Sequence, residues 1–160
     1  MIDKIEIPKI INESEIIVRT IFSDMVKKDN GELKSNAFSS YPKDADEVSV
    51  NRLTFTTVDF CKFWSKTINK KGYCGLASIF AKSVFDVGAT IISSPILPPN
   101  TPDNKYHADI KIGYKQELGK ELPQEFAQKI RRIAKQSKFY QDLCPDDNTK
   151  WCGENIIPNP

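Results

Sequence analysis

A short run near the start of this 160-residue chain, Glu15-Ile16-Ile17-Val18-Arg19-Thr20-Ile21-Phe22, leaves little choice of structure. β-Branched and aromatic residues dominate it, and apolar side chains fall on both parities of the run. A strand that is apolar on both faces belongs in the middle of a sheet. Arg19 interrupts it between Ile17 and Ile21. A guanidinium there has to find a carboxylate, carbonyl oxygens or an anionic ligand, because an unpaired buried charge is very costly.

The rest of the chain supplies partners for that strand. Asp29-Asn30-Gly31 signals a turn, and a polar stretch leads to a second strand at Glu47 to Leu53. On it Val48 and Val50 face one side, Ser49 and Asn51 the other. Thr56 reads as the cap of a helix that buries Phe60, Phe63, Trp64 and Ile68 and ends near Gly72. Leu76, Ile79, Phe80 and Val84 repeat at helical spacing, which predicts a second helix over 75–87 with Gly88 as its C-terminal cap. Ala89 to Ser94 is a β-rich run stopped by Pro95. Tyr106 to Tyr114 alternates with period two, so Ala108, Ile110, Ile112 and Tyr114 point inward and His107, Asp109 and Lys111 share the other face. A last helix from Pro123 to about Tyr140 buries Phe126, Ile130, Ile133 and Ala134 and displays Arg131, Arg132, Lys135 and Lys138. The expected architecture is α+β: one compact domain over 1–143, a mixed sheet of about four strands and three helices on one side, then an irregular tail over 144–160.

With 23 basic and 21 acidic residues the formal charge is only +2, which selects no class of partner. No apolar run approaches the ~20 residues that span a bilayer, and the opening Met1-Ile2-Asp3-Lys4-Ile5-Glu6 does not read as a secretory signal. The expectation is therefore a cytoplasmic protein with no membrane partner and with Cys61, Cys74, Cys144 and Cys152 reduced. Their spacing matches no zinc site, and no cofactor is implied. Cys144 and Cys152 flank a turn-rich stretch that is able to close a small loop.

His107 is the only histidine and opens a strand after a Pro- and Asn-rich loop, a place where folds present functional groups. Asp109, two residues on, shares its face and is able to orient or stabilise the imidazole. Arg19, Ser49, Asn51 and Arg52 are candidates for holding a phosphate-bearing small molecule or nucleotide, with His107 moving protons. Cys74 precedes the expected second helix, where the dipole would favour its thiolate and His107 would complete a nucleophile pair. The basic face of the last helix, Arg131, Arg132, Lys135 and Lys138, is a candidate contact for nucleic acid.

An arginine-bearing first strand, Gly31, Ala37-Phe38, Val48-Ser49-Val50, Gly72-Tyr73, Ala77, Asn104 and His107-Ala108 together resemble a loose family of small, functionally uncharacterised bacterial proteins. That resemblance implies a bacterial or phage origin and groups Arg19, Ser49 and His107 in one pattern. The order Cys74-Gly75-Leu76, then His107, Asp109, Ile110 and Gly113, is faintly similar to cysteine peptidases of the NlpC/P60 type, with Tyr73-Cys74-Gly75 departing from their usual Asp-Cys-Ser opening. Three functions follow as expectations: a domain binding or processing a phosphate-bearing ligand, a Cys74–His107 hydrolase, or a non-catalytic adaptor.

Overall fold

The computed structural model describes residues 6–40, 42–68 and 72–157. Among these, six strands and three α-helices build one α+β unit. The strands are β1 (Ile16–Phe22), β2 (Val48–Arg52), β3 (Tyr73–Phe80), β4 (Thr90–Ser93), β5 (His107–Lys111) and β6 (Lys138–Gln141). They form a single sheet in the order β4-β5-β2-β1-β3-β6, and every pairing is antiparallel. The expected mixed sheet of about four strands is thus corrected to six antiparallel ones. The helices are α1 (Val58–Ile68), α2 (Ala81–Asp86) and α3 (Gln124–Gln136).

β1 lies inside the sheet, as its composition requires. Ile17 and Ile21 point into a large core with Val50, Ile79, Val84, Ile110 and Ile133, on the side covered by α2 and α3. Val18 points the other way, to a smaller cluster with Cys61 of α1, Tyr73 and Leu76. The helices therefore cover both faces, with α1 alone on one, rather than gathering on one side.

Two expected boundaries are wrong, each for its own reason. Residues 75–80 belong to β3, and only Ala81–Asp86 is helical. A strand buried on both faces has no period-two signal, so its apolar residues also matched a helical spacing. Gly75 is needed there, since a Cβ would lie 2.1 Å from the Tyr140 carbonyl oxygen on β6. The last helix stops at Gln136, and residues 138–141 turn back as the edge strand β6. At α1 the capping oxygen is that of Thr57, which accepts from the Phe60 amide at 3.1 Å, not that of Thr56. Phe63 and Ile68 are exposed on α1, whereas Lys62 and Lys66 are buried with Trp64.

The buried lysine explains the C-terminal segment. Lys62 Nζ pairs with Asp142 at 2.9 Å and donates to the carbonyls of Cys144 and Lys150 at 2.7 and 2.6 Å. Asp142 also accepts from the Tyr73 hydroxyl at 2.7 Å and the Cys144 amide at 2.9 Å. A Cys144–Cys152 disulfide, with Cα atoms 5.5 Å apart, closes the loop that Lys62 grips. This corrects the expectation of four reduced cysteines; Cys61 and Cys74 are free. Residues 144–157 hold no helix or strand, yet Trp151 and Ile156 pack on the smaller core.

Burial acts to raise the Asp142 pKa, but hydrogen bonds from Lys62, Tyr73 and the Cys144 amide outweigh it and hold the carboxyl below its ordinary value. A depressed native pKa stabilises the fold above the unfolded value of about 4, and that stabilisation disappears as pH falls through the native value. Asp142→Asn strands the Lys62 charge and is expected to cost about 3–5 kcal/mol at pH 7. Denaturant unfolding at pH 7 and pH 3 checks both statements, the variant losing less than the parent on acidification.

Candidate functional site

β2, β5 and the end of β4 run side by side, and their register decides which polar groups meet. Asn51 lies opposite His107, Ser49 opposite Asp109, and Ile92 opposite Asp109 from the other neighbour. Alternation then turns Ser49, His107 and Asp109 to the face that α1 covers. Ser94 follows β4 directly and its amide donates to the His107 carbonyl oxygen at 3.0 Å.

The result is a linked row of three side chains. Ser49 Oγ lies 2.6 Å from His107 Nε2. On the other side of the ring, Nδ1 lies 2.8 Å from Ser94 Oγ and 3.0 Å from the Ser94 carbonyl oxygen. A carbonyl oxygen only accepts, so Nδ1 carries the proton and Nε2 accepts from the Ser49 hydroxyl. All three residues are half-buried, so solvent reaches them. The ring of Trp64 from α1 meets the imidazole edge-on, centroids 6.4 Å apart. Trp64 Nε1 is buried and has no hydrogen-bond partner among the described residues. Apart from the row, an apolar groove of about 780 Å³ runs along the outer edge of β4 on the side of the large core, with Ile11, Phe85 and Ile91 in its walls.

Of the residues singled out in the sequence, the structure brings Ser49, His107 and Asp109 together. The others sit elsewhere. Arg19 points to the opposite face, in register with Ala77 and with its guanidinium carbon 5.8 Å from the Phe38 ring centroid. Its donors reach the carbonyls of Ala37 (2.7 Å), Ser49 (3.0 Å) and Ser39 (3.5 Å). Desolvation lowers its pKa to about 10, still charged at neutral pH. Arg19 and His107 are therefore not in one concavity; the sheet separates them. Arg52 is committed to structure, gripping Glu15 through Nε and Nη2 at 2.8 and 2.9 Å and the Pro8 carbonyl through Nη1 at 2.6 Å. Asn51 is buried, its Oδ1 accepting from Asn104 Nδ2 at 2.7 Å.

Cys74 lies on β3, not at a helix start, and β1 and β2 stand between it and β5. That is three strand spacings, about 14 Å, too far for a Cys–His pair. Its thiol contacts the Ile21 carbonyl at 3.5 Å, and burial, with Asp24 adding, pushes its pKa up to about 11. Ser94 and Trp64 were not legible as site residues: Ser94 reads as the end of a β-run before Pro95, and Trp64 as core. Among the described residues, His, Cys, Asp and Glu form no group of three or more able to hold a metal ion. No helix among them is long and apolar enough to cross a membrane.

Comparison with known proteins finds no family model, curated protein or solved structure that matches this chain.

Two outcomes are expected from these placements. Iodoacetamide at pH 7 should alkylate Cys74 no faster than an unstructured thiol, read by mass spectrometry, since a pKa near 11 leaves almost no thiolate. Arg19→Ala should leave the Ala37 and Ser49 carbonyls without their donor and cost about 2–4 kcal/mol in denaturant unfolding.

Proposed function

We propose that the protein is a small serine hydrolase acting on acyl esters, with Ser49 as nucleophile and His107 as general base. The observation that carries this is the 2.6 Å contact of Ser49 Oγ with His107 Nε2, combined with a ring whose Nδ1–H is held by Ser94. A serine hydroxyl is a weak nucleophile until an adjacent base takes its proton, and the base has to be fixed in the right tautomer by a third group. Here the Ser94 carbonyl and hydroxyl do that.

In the first step Ser49 Oγ bonds to the acyl carbon while its proton passes to His107 Nε2. The imidazolium so formed is stabilised through Nδ1–H by Ser94. Collapse of the tetrahedral intermediate breaks the ester C–O bond, and Nε2 returns the proton to the leaving alcohol. Water then bonds to the acyl carbon while Nε2 takes its proton, and Nε2 passes that proton to Ser49 Oγ as the acyl–Oγ bond breaks and the acid leaves.

This replaces a shared anion site at Arg19, Ser49 and His107, whose arginine is spent on carbonyls across the sheet, and a Cys74–His107 pair that the strand order separates. An alkyl fluorophosphonate probe tests it. The expected result is a phosphonyl adduct on Ser49 with loss of fluoride, absent in Ser49→Ala and slower by about 10²–10⁴ in His107→Gln. Turnover of a p-nitrophenyl butyrate ester should fall in parallel. No adduct on the folded parent, or an adduct at another residue, would overturn the proposal.

A further inference from the structure

On the opposite face of the sheet, away from His107, two cavities of about 480 and 340 Å³ adjoin, sharing Ser35 and Arg131 in their walls. They run between α3 and the segment from Lys27 to Lys43. From these walls and the residues lining them we infer a binding groove for single-stranded nucleic acid, a surface independent of the Ser49–His107 row.

Charge is the first reason. Lys27, Arg131 and Lys135 line one cavity and Lys43 and Arg131 the other, so cations from two loop positions and a helix converge on one path, while Lys138, also in the first wall, holds its ammonium over the Tyr140 ring. Glu32 is the only acidic residue in either wall, 4.0 Å from Lys27. The chain as a whole carries a formal charge of only +2, so this concentration is local. Selection along α3 is the second reason. Arg131 and Lys135 are one turn apart, about 5–6 Å, a spacing on the scale of neighbouring phosphates, whereas the equally exposed Arg132 lines neither cavity.

Aromatic surface is the third. Phe139 lines one cavity and Tyr114 the other, and Tyr114 is already stacked on Phe126, centroids 4.6 Å apart and planes 21° off parallel. A ring buttressed in this way is a platform for an unpaired base. Serine and amide side chains between the platforms, Ser35, Asn36, Ser39 and Gln116, offer hydrogen bonds to sugar or base edges. A backbone of phosphates along the cations with bases turned to rings at each end is how single strands are held without strict sequence reading. A duplex hides its base faces from such platforms.

Fluorescence anisotropy with a labelled oligouridylate of about 10 nucleotides decides the matter on the full chain. Binding is expected at low salt, with a log–log salt slope of about −2 to −3, corresponding to three or four phosphate contacts. Arg131→Gln with Lys135→Gln should weaken binding at least about ten-fold and flatten the slope by about 1.4, while Arg132→Gln changes neither. Tyr114→Leu should weaken binding several-fold with the slope unchanged. Circular dichroism confirms that the variants fold. No binding at low salt, equal affinity for a duplex of the same length, or an effect of Arg132→Gln as large as that of Arg131→Gln would each overturn the inference.

Discussion

The alternation of side chains along β1 organises the molecule. With β2 on one side of it and β3 on the other, the strand has neither edge free, and both of its faces are covered. Ile17, Arg19 and Ile21 must go to one side and Val18 and Thr20 to the other, because a slip of one residue would exchange the two sets. Every antiparallel partner inherits that parity. It sends Val48, Val50, Ala108 and Ile110 to the α2–α3 core and leaves Ser49, His107 and Asp109 on the opposite face, where Trp64 of α1 reaches His107. The chemistry that the protein presents is thus a consequence of which parity was already needed for burial.

Buried cations show how the fold manages polar groups that it cannot expel. Arg52, wholly buried, is neutralised by Glu15 in a two-point grip that anchors the segment before β1 to the end of β2. Lys62 uses one carboxylate and two carbonyls to fix the disulfide loop on α1. Arg19 has carbonyls only, and these come from the 37–39 segment and from β2 where it diverges from β1. The ion-pair geometry that sequence reasoning considered for Arg19 is the one found at Arg52. Neither local pattern names the partner, which is set by tertiary placement.

Much of the scaffold was legible: β1, β2, β5, α1 and most of α3 follow from composition and period. β3 was not, because a strand with Leu76, Ala77, Ser78 and Ile79 all buried lacks alternation and resembles a helix in its apolar spacing. β6 was absorbed into the helix before it, there being no glycine or proline between Gln136 and Lys138 to mark the break. At the site, Ser49 and His107 could be placed on the polar faces of their strands, but their pairing needed the β2–β5 register, which spans 58 residues. Ser94 was out of reach for the same reason, and the Cys144–Cys152 bridge because the chain was read as one that keeps its thiols reduced.

The chemistry of the Ser49–His107 row depends most on the state of a single imidazole. With Nδ1 against the Ser94 carbonyl and Nε2 against the Ser49 hydroxyl, His107 must be protonated on Nδ1 and free to accept on Nε2 when neutral. Long-range ¹⁵N–¹H correlation spectra of the histidine-labelled protein read this directly, and the lone histidine makes assignment unambiguous. A pyrrole-type shift at Nδ1 and a pyridine-type shift at Nε2, the latter moving in Ser49→Ala, is the result expected. The reverse tautomer, or an Nε2 resonance indifferent to Ser49, would contradict the proposed nucleophile–base pair.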